Sequence, residues 1–300
     1  MIDAGTLVSG LLAGGLYAIV GLGLSLAFGV MRIVNLAHGE LIVLGAYIAT
    51  LVVGATGMDP LLSLTVVAPV AFVVALPLQR FVLTPLLSRG QEPPLVATFG
   101  TSLLISAALV LGFGGDSRSL PSAYGAAGID ILGVTVRVTG LITLAIALVL
   151  IVATHFGITR TLWGAAVRAS AEDPRTAGTM GIDVGWLYAI TFGFSAVFAA
   201  VAGVLVGVGY SFTPTTGAGY LLIGFTVVIL GGAGNVLGTL WGGLAVGLIQ
   251  SVGSALFGGQ YRDFVVYAAF ILILIATPLF VAARNRLAWR RPVSGKGVRA

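Results

Sequence analysis

Two stretches decide the solvent of this chain before anything else is considered. Thr6 to Val30 carries no charged residue, and neither does Phe264 to Ala283. A helix rises about 1.5 Å per residue, so about 20 residues cross a hydrocarbon core roughly 30 Å thick. Both runs are long enough to span. Charge is scarce elsewhere too, at 8% of 300 residues, with 58% hydrophobic. A soluble domain carries about 25%. A surface so poor in charge cannot face water, so lipid is the expected solvent. The first run opens Met-Ile-Asp with no basic residue ahead of it. It also outruns the apolar core of about 7–15 residues that marks a signal peptide, so we expect a retained span.

The 44 glycines carry a second message. Helices in lipid gain little by burying apolar surface against one another and use small residues to bring backbones close. Gly10/Gly14, Gly203/Gly207 and Gly243/Gly247 have that spacing. A β-barrel would need segments of about 10 residues alternating polar and apolar, which are missing. The expected fold is therefore all-α: a polytopic integral membrane helix bundle.

Charges punctuate the apolar runs and place spans near 6–30, 38–57, 61–79, 94–113, 139–157, 187–209, 219–231, 236–257 and 264–283. That makes eight or nine transmembrane helices. The short segment at 219–231 reads either as a full crossing or as half of a re-entrant pair around Gly231–Asn235, since broken helices survive at membrane depth only inside protein. With nine crossings and the N-terminus outside, one side collects Arg32, Arg80, Arg89, Arg160, Arg168, Arg175 and the six cations from Arg284 onward, twelve of the 15 Lys and Arg residues. Cytoplasmic loops carry the excess of such residues, which gives N-out, C-in. The basic tail at 284–300 suits an anionic lipid leaflet rather than nucleic acid. The loop Gly114–Val138, on the other side, should be irregular, partly strand-like at 131–138. No soluble domain boundary interrupts the single transmembrane unit 1–300.

The polar loop at 158–186 is too hydrophilic to span and too ordered in pattern to be slack linker. Leu162 to Ala171 reads as a helix, with Arg168 and Glu172 spaced for an i,i+4 pair. Pro174 disfavours helix at the residue before it. Asp173 then suits an N-cap, Pro174 the first position and Gly181 the stop of a second helix of about two turns. Two short helices meeting at an acidic elbow result. The elbow is either an amphipathic loop lying on the interface or a lever that docks into another protein.

Glu172-Asp-Pro-Arg-Thr-Ala followed by Met180-Gly-Ile-Asp, leading into a span, resembles the coupling loop of permeases from branched-chain amino acid ABC importers. Gly14 to Gly29, followed by Ile33-Val-Asn-Leu-Ala-His-Gly-Glu-Leu, is similar to that family's opening, where a first span leads into an Asn-x-Ala-His-Gly-Glu turn. Val228 to Gly243 resembles its Gly-rich penultimate region. The similarity covers nearly the whole chain. The strict Glu-Ala-Ala motif of another importer class is not matched, since Asp173-Pro174 follows Glu172, so contacts of that class do not carry over. The resemblance implies a subunit of a bacterial or archaeal cytoplasmic membrane. Its implied partners are cytoplasmic ATPase subunits that hold ATP and Mg, a second permease chain (identical or homologous) and an extracytoplasmic binding protein. It also implies that Arg168, Glu172, Asp173, Pro174, Arg175 and Gly181 serve ATPase coupling. Urea, short-chain amide and sugar permeases share the superfamily and are the rival solute classes.

Asn35, His38 and Glu40 form the densest polar cluster of the N-terminal half. Ionisable groups in spans are costly unless paired or hydrated, so these are candidates for a pore or gate. On a regular helix Asn35 and His38 share a face while Glu40 points about 200° away from His38. The alternatives are an inner rim, with Glu40 in water and Asn35 capping the helix, or a docking surface. Thr98, Thr101, Ser102, Ser195, Thr226 and Gln250 are milder candidates for an uncharged path, although Ser and Thr also bond their own helix backbone.

Catalysis finds no foothold. Cysteine is absent, the one lysine is Lys296, and no phosphate-binding Gly-Lys motif can be written. His155 is the only other histidine, without a carboxylate at ligand spacing, and no cofactor is expected on this chain. No span centre holds Asp, Glu, Lys or Arg, which argues against ion-coupled secondary transport or a channel of that kind. ATP-driven transport would need its ATPase on another chain.

Overall fold

The computed structural model describes residues 3–90, 92–131 and 133–289. In chain order the elements are α1 (Ala4–Met31), α2 (His38–Thr56), α3 (Leu64–Pro77), α4 (Thr84–Leu87), α5 (Glu92–Phe113), β1 (Gly128–Ile131), β2 (Val134–Arg137) and α6 (Val138–Arg160). Then come α7 (Leu162–Glu172), α8 (Pro174–Thr179), α9 (Val184–Gly209), α10 (Gly217–Gly231), α11 (Val236–Phe257) and α12 (Arg262–Trp289). Among the described residues, 8 helices are long and apolar enough to cross a membrane. The all-α polytopic bundle follows.

The expected bounds shift in three places. The third span runs through to Leu87, because a π-helical segment at Leu78–Leu83 joins α3 to α4. There the Thr84 N–H bonds the carbonyl of Gln79, five residues back. Prolines 77 and 85 supply no N–H donor, and a π-turn absorbs the broken ladder without ending the helix. The strand-like stretch is part of an antiparallel β1–β2 pair, with Ile131 opposite Val134 and Gly128 opposite Arg137. The last helix also runs past the expected start of the basic tail, to Trp289, while residues 290–300 lie outside the described ones.

Packing centres on α1, which is buried along most of its length after Gly14. Its closest neighbour is α11, antiparallel to it. A Cβ on Gly14 would stand 2.7 Å from the Leu244 Cα, and Gly247 has no room for one against the Gly10 carbonyl. These small residues let two backbones touch, which gives dispersion contacts that lipid cannot replace. The pair Gly203/Gly207 divides its work. Gly203 lies on the Ile42 carbonyl of α2, whereas Gly207 faces Leu120 of the α5–β1 loop. Its partner there is a loop, not a helix.

The bundle has two faces. The hairpin face holds the start of α1, whose Gly5 lies against Val134 of β2. The elbow face holds α7, α8 and the start of α9, where Arg80 pairs with Asp183 at 3.2 Å. The short helix α10 has 15 residues, about 22 Å, less than the roughly 30 Å of a full span. It begins inside the bundle, Gly217 against Gly39 at the start of α2. Before it, Phe212 is bridged to Arg118 on the hairpin side. After it, Gly234 touches Gly29 near the far end of α1. Extended chain and half-length helix together thus run from the hairpin side to the far end of α1.

Candidate functional site

The elbow forms as its sequence dictates. Asp173 is extended and caps α8, its Oδ1 accepting from the Arg175 N–H at 2.9 Å and its Oδ2 from the Thr176 hydroxyl at 2.6 Å. Those bonds, the Thr176 hydroxyl foremost, hold its carboxyl below the ordinary aspartate range. Pro174 takes the first helical position, and Gly181 has φ +86 just beyond the end. The i,i+4 pair does not form. Arg168 donates to the Ile158 carbonyl at the end of α6 instead, which satisfies an acceptor the helix terminus leaves open. Glu172, Asp173 and Arg175 stay exposed. The elbow is fastened beneath by Val167 and Ala177, both buried, and by Trp163 against the Phe194 ring at 5.6 Å. Two large apolar side chains stand out from it, Leu162 at 91% and Met180 at 79% exposure. Apolar residues inside a polar loop were the signal for them in the sequence.

The turn from α1 to α2 dips back into the bundle. Helix α2 starts only at His38, so Asn35 precedes it and shares no helix face with His38. The cap position belongs to Ala37, without a side-chain bond, and Asn35 Oδ1 accepts from the Ala37 N–H at 3.1 Å. Asn35 thus shapes the turn. His38 Nε2 donates to the Val20 carbonyl at 3.0 Å, and the ring fills the space left by Gly23. Glu40 is 6% exposed, where a rim residue would meet water. Its carboxylate abuts Gly217 at the start of α10, with Ser102 of α5 as its polar neighbour. Asn35 Nδ2, His38 Nδ1 and Glu40 Oε2 are buried atoms without a partner. Of these three, the Glu40 carboxylate lies where α2 and α10 meet, and the His38 ring lies against α1.

The milder candidates are scattered. Thr98 holds the turn, its hydroxyl donating to the carbonyls of Leu95 and Val34 and accepting from the Leu36 N–H at 3.3 Å. Thr101 and Thr226 bond carbonyls of their own helices, Ala97 and Leu222, each at 2.8 Å. Ser195 crosses between helices, donating to the Gly23 carbonyl at 2.7 Å. No single polar lane joins them.

Gln250 belongs to a different place, toward the hairpin face. Its Oε1 accepts from the Tyr17 hydroxyl, which in turn accepts from Arg262 Nη2 at 3.0 Å. The Arg262 guanidinium also lies 5.1 Å over the Tyr210 ring. Two cavities of about 520 Å³ and 280 Å³ share Tyr210, Gln250 and Arg262 as their common wall. Sequence reading placed Arg262 in a loop and left Tyr17 unremarked inside an apolar run. The contact joins residues 245 apart in sequence, and nothing local announces it. Among the described residues no cluster of His, Cys, Asp and Glu has the make-up of a metal site.

A family profile described as branched-chain amino acid transport system / permease component matches residues 6–274. The chain is 29% identical over 294 residues to the high-affinity branched-chain amino acid transport system permease protein BraD of Pseudomonas aeruginosa, covering 93% of this chain and 95% of that one. To the corresponding protein LivH of Escherichia coli it is 28% identical over 291 residues, covering 92% and 94%. The fructose import permease protein FrcC of Rhizobium meliloti is more distant, 26% identical over 203 residues, covering 64% and 56%. No solved structure matches the chain.

Proposed function

Because the chain belongs to the family of permease components of branched-chain amino acid transport systems, we propose that it is the membrane-spanning permease subunit of an ABC importer that carries branched-chain amino acids inward. It works as one transmembrane domain, 1–300, oriented N-out and C-in in a bacterial or archaeal cytoplasmic membrane. The 158–186 elbow is then the cytoplasmic coupling loop, and the basic tail 284–300 lies against anionic lipid. ATP and Mg belong to separate ATPase subunits. A second permease chain completes the pore, and a binding protein delivers solute to the hairpin face.

The observation that carries this reading is the elbow itself. A lever must pass force in both directions, so it has to be stiff and fixed to the spans beneath it. Asp173 caps α8 with its side chain while its own N–H bonds the Ala169 carbonyl of α7, and Arg168 ties α7 to the end of α6. Exposed Leu162 and Met180 supply apolar knobs for a groove on the ATPase. ATP-driven closure of the ATPase pair would then tilt α6 and α9 together. The junction of α2 and α10 at Glu40 and Gly217 is the place where such tilting opens or closes a path, since both helices begin there.

The test is uptake into vesicles containing this chain with its partner subunits. Wild type should accumulate leucine in an ATP-dependent way and not fructose. The double change Glu172→Arg with Asp173→Arg should abolish uptake while the chain stays folded in the membrane. Undiminished uptake by that variant would remove the coupling role, and fructose uptake by wild type would replace the solute.

A further inference from the structure

We propose that the pair of cavities walled by Tyr210, Gln250 and Arg262 is a recognition site for a zwitterionic amino acid with an aliphatic side chain. This rests on the reading of the chain as an amino acid permease and adds to it where the solute is held.

Three observations converge. Arg262 is the first residue of α12, yet its side chain is drawn back onto Tyr17, in the middle of α1. Among the described residues its guanidinium has no carboxylate within pairing distance, the one such pair being Arg80 with Asp183. A partly buried arginine without a counter-ion attracts an anion strongly, because the low-dielectric wall weakens screening and the planar fork fits a carboxylate. Gln250 is 3% exposed and its Nε2 has no partner. Its Oε1 is already taken by Tyr17, so the amide orientation is fixed and its Nε2 is left as a buried, unpaired donor on a residue that lines both cavities. Arg262 and Gln250 therefore present N–H donors from one wall, as a carboxylate requires.

The rest of the lining suits the other parts of an amino acid. Asp263, exposed and next to Arg262, lines the smaller cavity with Tyr220 and Tyr267. A carboxylate and aromatic faces both attract an ammonium ion. Ile223 lines the same cavity, and Leu12, Leu16 and Leu205 line the larger one. Volumes of about 280 and 520 Å³ bracket the lower end of small-molecule sites. The larger cavity also reaches Thr135 and Arg137 of the hairpin. It therefore opens on the face assigned to the binding protein, and Arg137 adds a second cation at its mouth. Gln250 sits about 10 Å below the end of α11, counted along the helix axis. A solute there has left water but has not reached the α2–α10 junction.

The test uses the complete transporter in vesicles and a photoreactive leucine bearing a diazirine on its side chain. After illumination, labelled peptides should contain Ile223 or Tyr267. Leucine should compete the label away, whereas leucinamide, lacking the carboxylate, and 4-methylpentanoate, lacking the ammonium, should not. Arg262→Gln and Asp263→Asn should each reduce labelling about tenfold or more. Arg262→Gln also removes the bond to Tyr17, so Asp263→Asn, at an exposed position, decides the matter if the first variant fails to assemble. Labelling confined to other helices, or unchanged within about twofold in Asp263→Asn, overturns the site. If wild type shows no ATP-driven leucine uptake, the permease reading fails; if uptake is normal and the label lies elsewhere, only the site fails.

Discussion

Gly39 and Gly217 meet backbone to backbone where α2 and α10 begin, with the Glu40 carboxylate folded over Gly217. A Cβ on Gly39 has no space against the Gly217 carbonyl, and one on Gly217 would stand 2.9 Å from Glu40 Oε1. Two helices that start inside the bundle can touch at this depth only because neither carries a side chain there.

Gly39→Ala should therefore destabilise the permease by about 1–3 kcal/mol, the usual cost of overpacking, and impair uptake. Gly54→Ala, in the same helix with nothing within 4 Å, should be neutral or stabilise by up to about 1 kcal/mol. Thermal unfolding of the purified chain in detergent, set beside uptake in vesicles, separates the two. Equal behaviour of the two variants would mean that the contact is not tight.

Leu162→Ala and Met180→Ala remove side chains that are largely exposed in this chain. Unfolding of the isolated permease should not change beyond about 0.5 kcal/mol, as for ordinary surface positions. Recovery of the ATPase subunits by co-purification should fall, most in the double variant. Full recovery would show that the knobs are not seated in a partner.

Asp173→Ala should fray α8. Hydrogen exchange of the backbone from Ala177 to Met180 should quicken at neutral pH while the spans are unaffected. The pH dependence has a definite sign. Bonds from Thr176 and Arg175 hold the Asp173 pKa below its unfolded value, so the cap is intact above the ordinary aspartate range and is lost as pH falls through the lowered value. Protection in α8, corrected for intrinsic exchange rates, should be flat from neutral pH down to the aspartate range and drop below it in wild type only.

Ser195→Ala should weaken the α9–α1 contact at Gly23. An inter-helix bond of this kind contributes roughly 0.6 kcal/mol in membrane proteins. A small fall in unfolding midpoint with unchanged uptake is expected. A loss of uptake at unchanged stability would instead make Ser195 part of the path.

Much of this architecture could be read without coordinates where the cause is local. The elbow needed only Asp173, Pro174 and Gly181, because capping, proline sterics and left-handed backbone act over a few residues. Gly10, Gly14, Gly243 and Gly247 announced close packing by spacing. What was misjudged depended on neighbours. Arg168 and Glu172 have the spacing of a pair, but an open carbonyl at Ile158 competes for Arg168. Glu40 lies near a loop in sequence and suggested a wet rim. The turn before α2 folds inward and α10 covers it, so the carboxylate is buried.

Charge-poor runs and glycine spacing determined by themselves that this chain is a bundle of membrane-crossing helices, and local capping determined its one polar elbow, since desolvation and backbone sterics act on each segment separately. Tertiary structure decided which polar groups share a site. The Tyr17–Gln250–Arg262 contact and the meeting of Gly39 with Gly217 join residues far apart in the chain. Helix docking alone brings them together, and no local pattern encodes the partner.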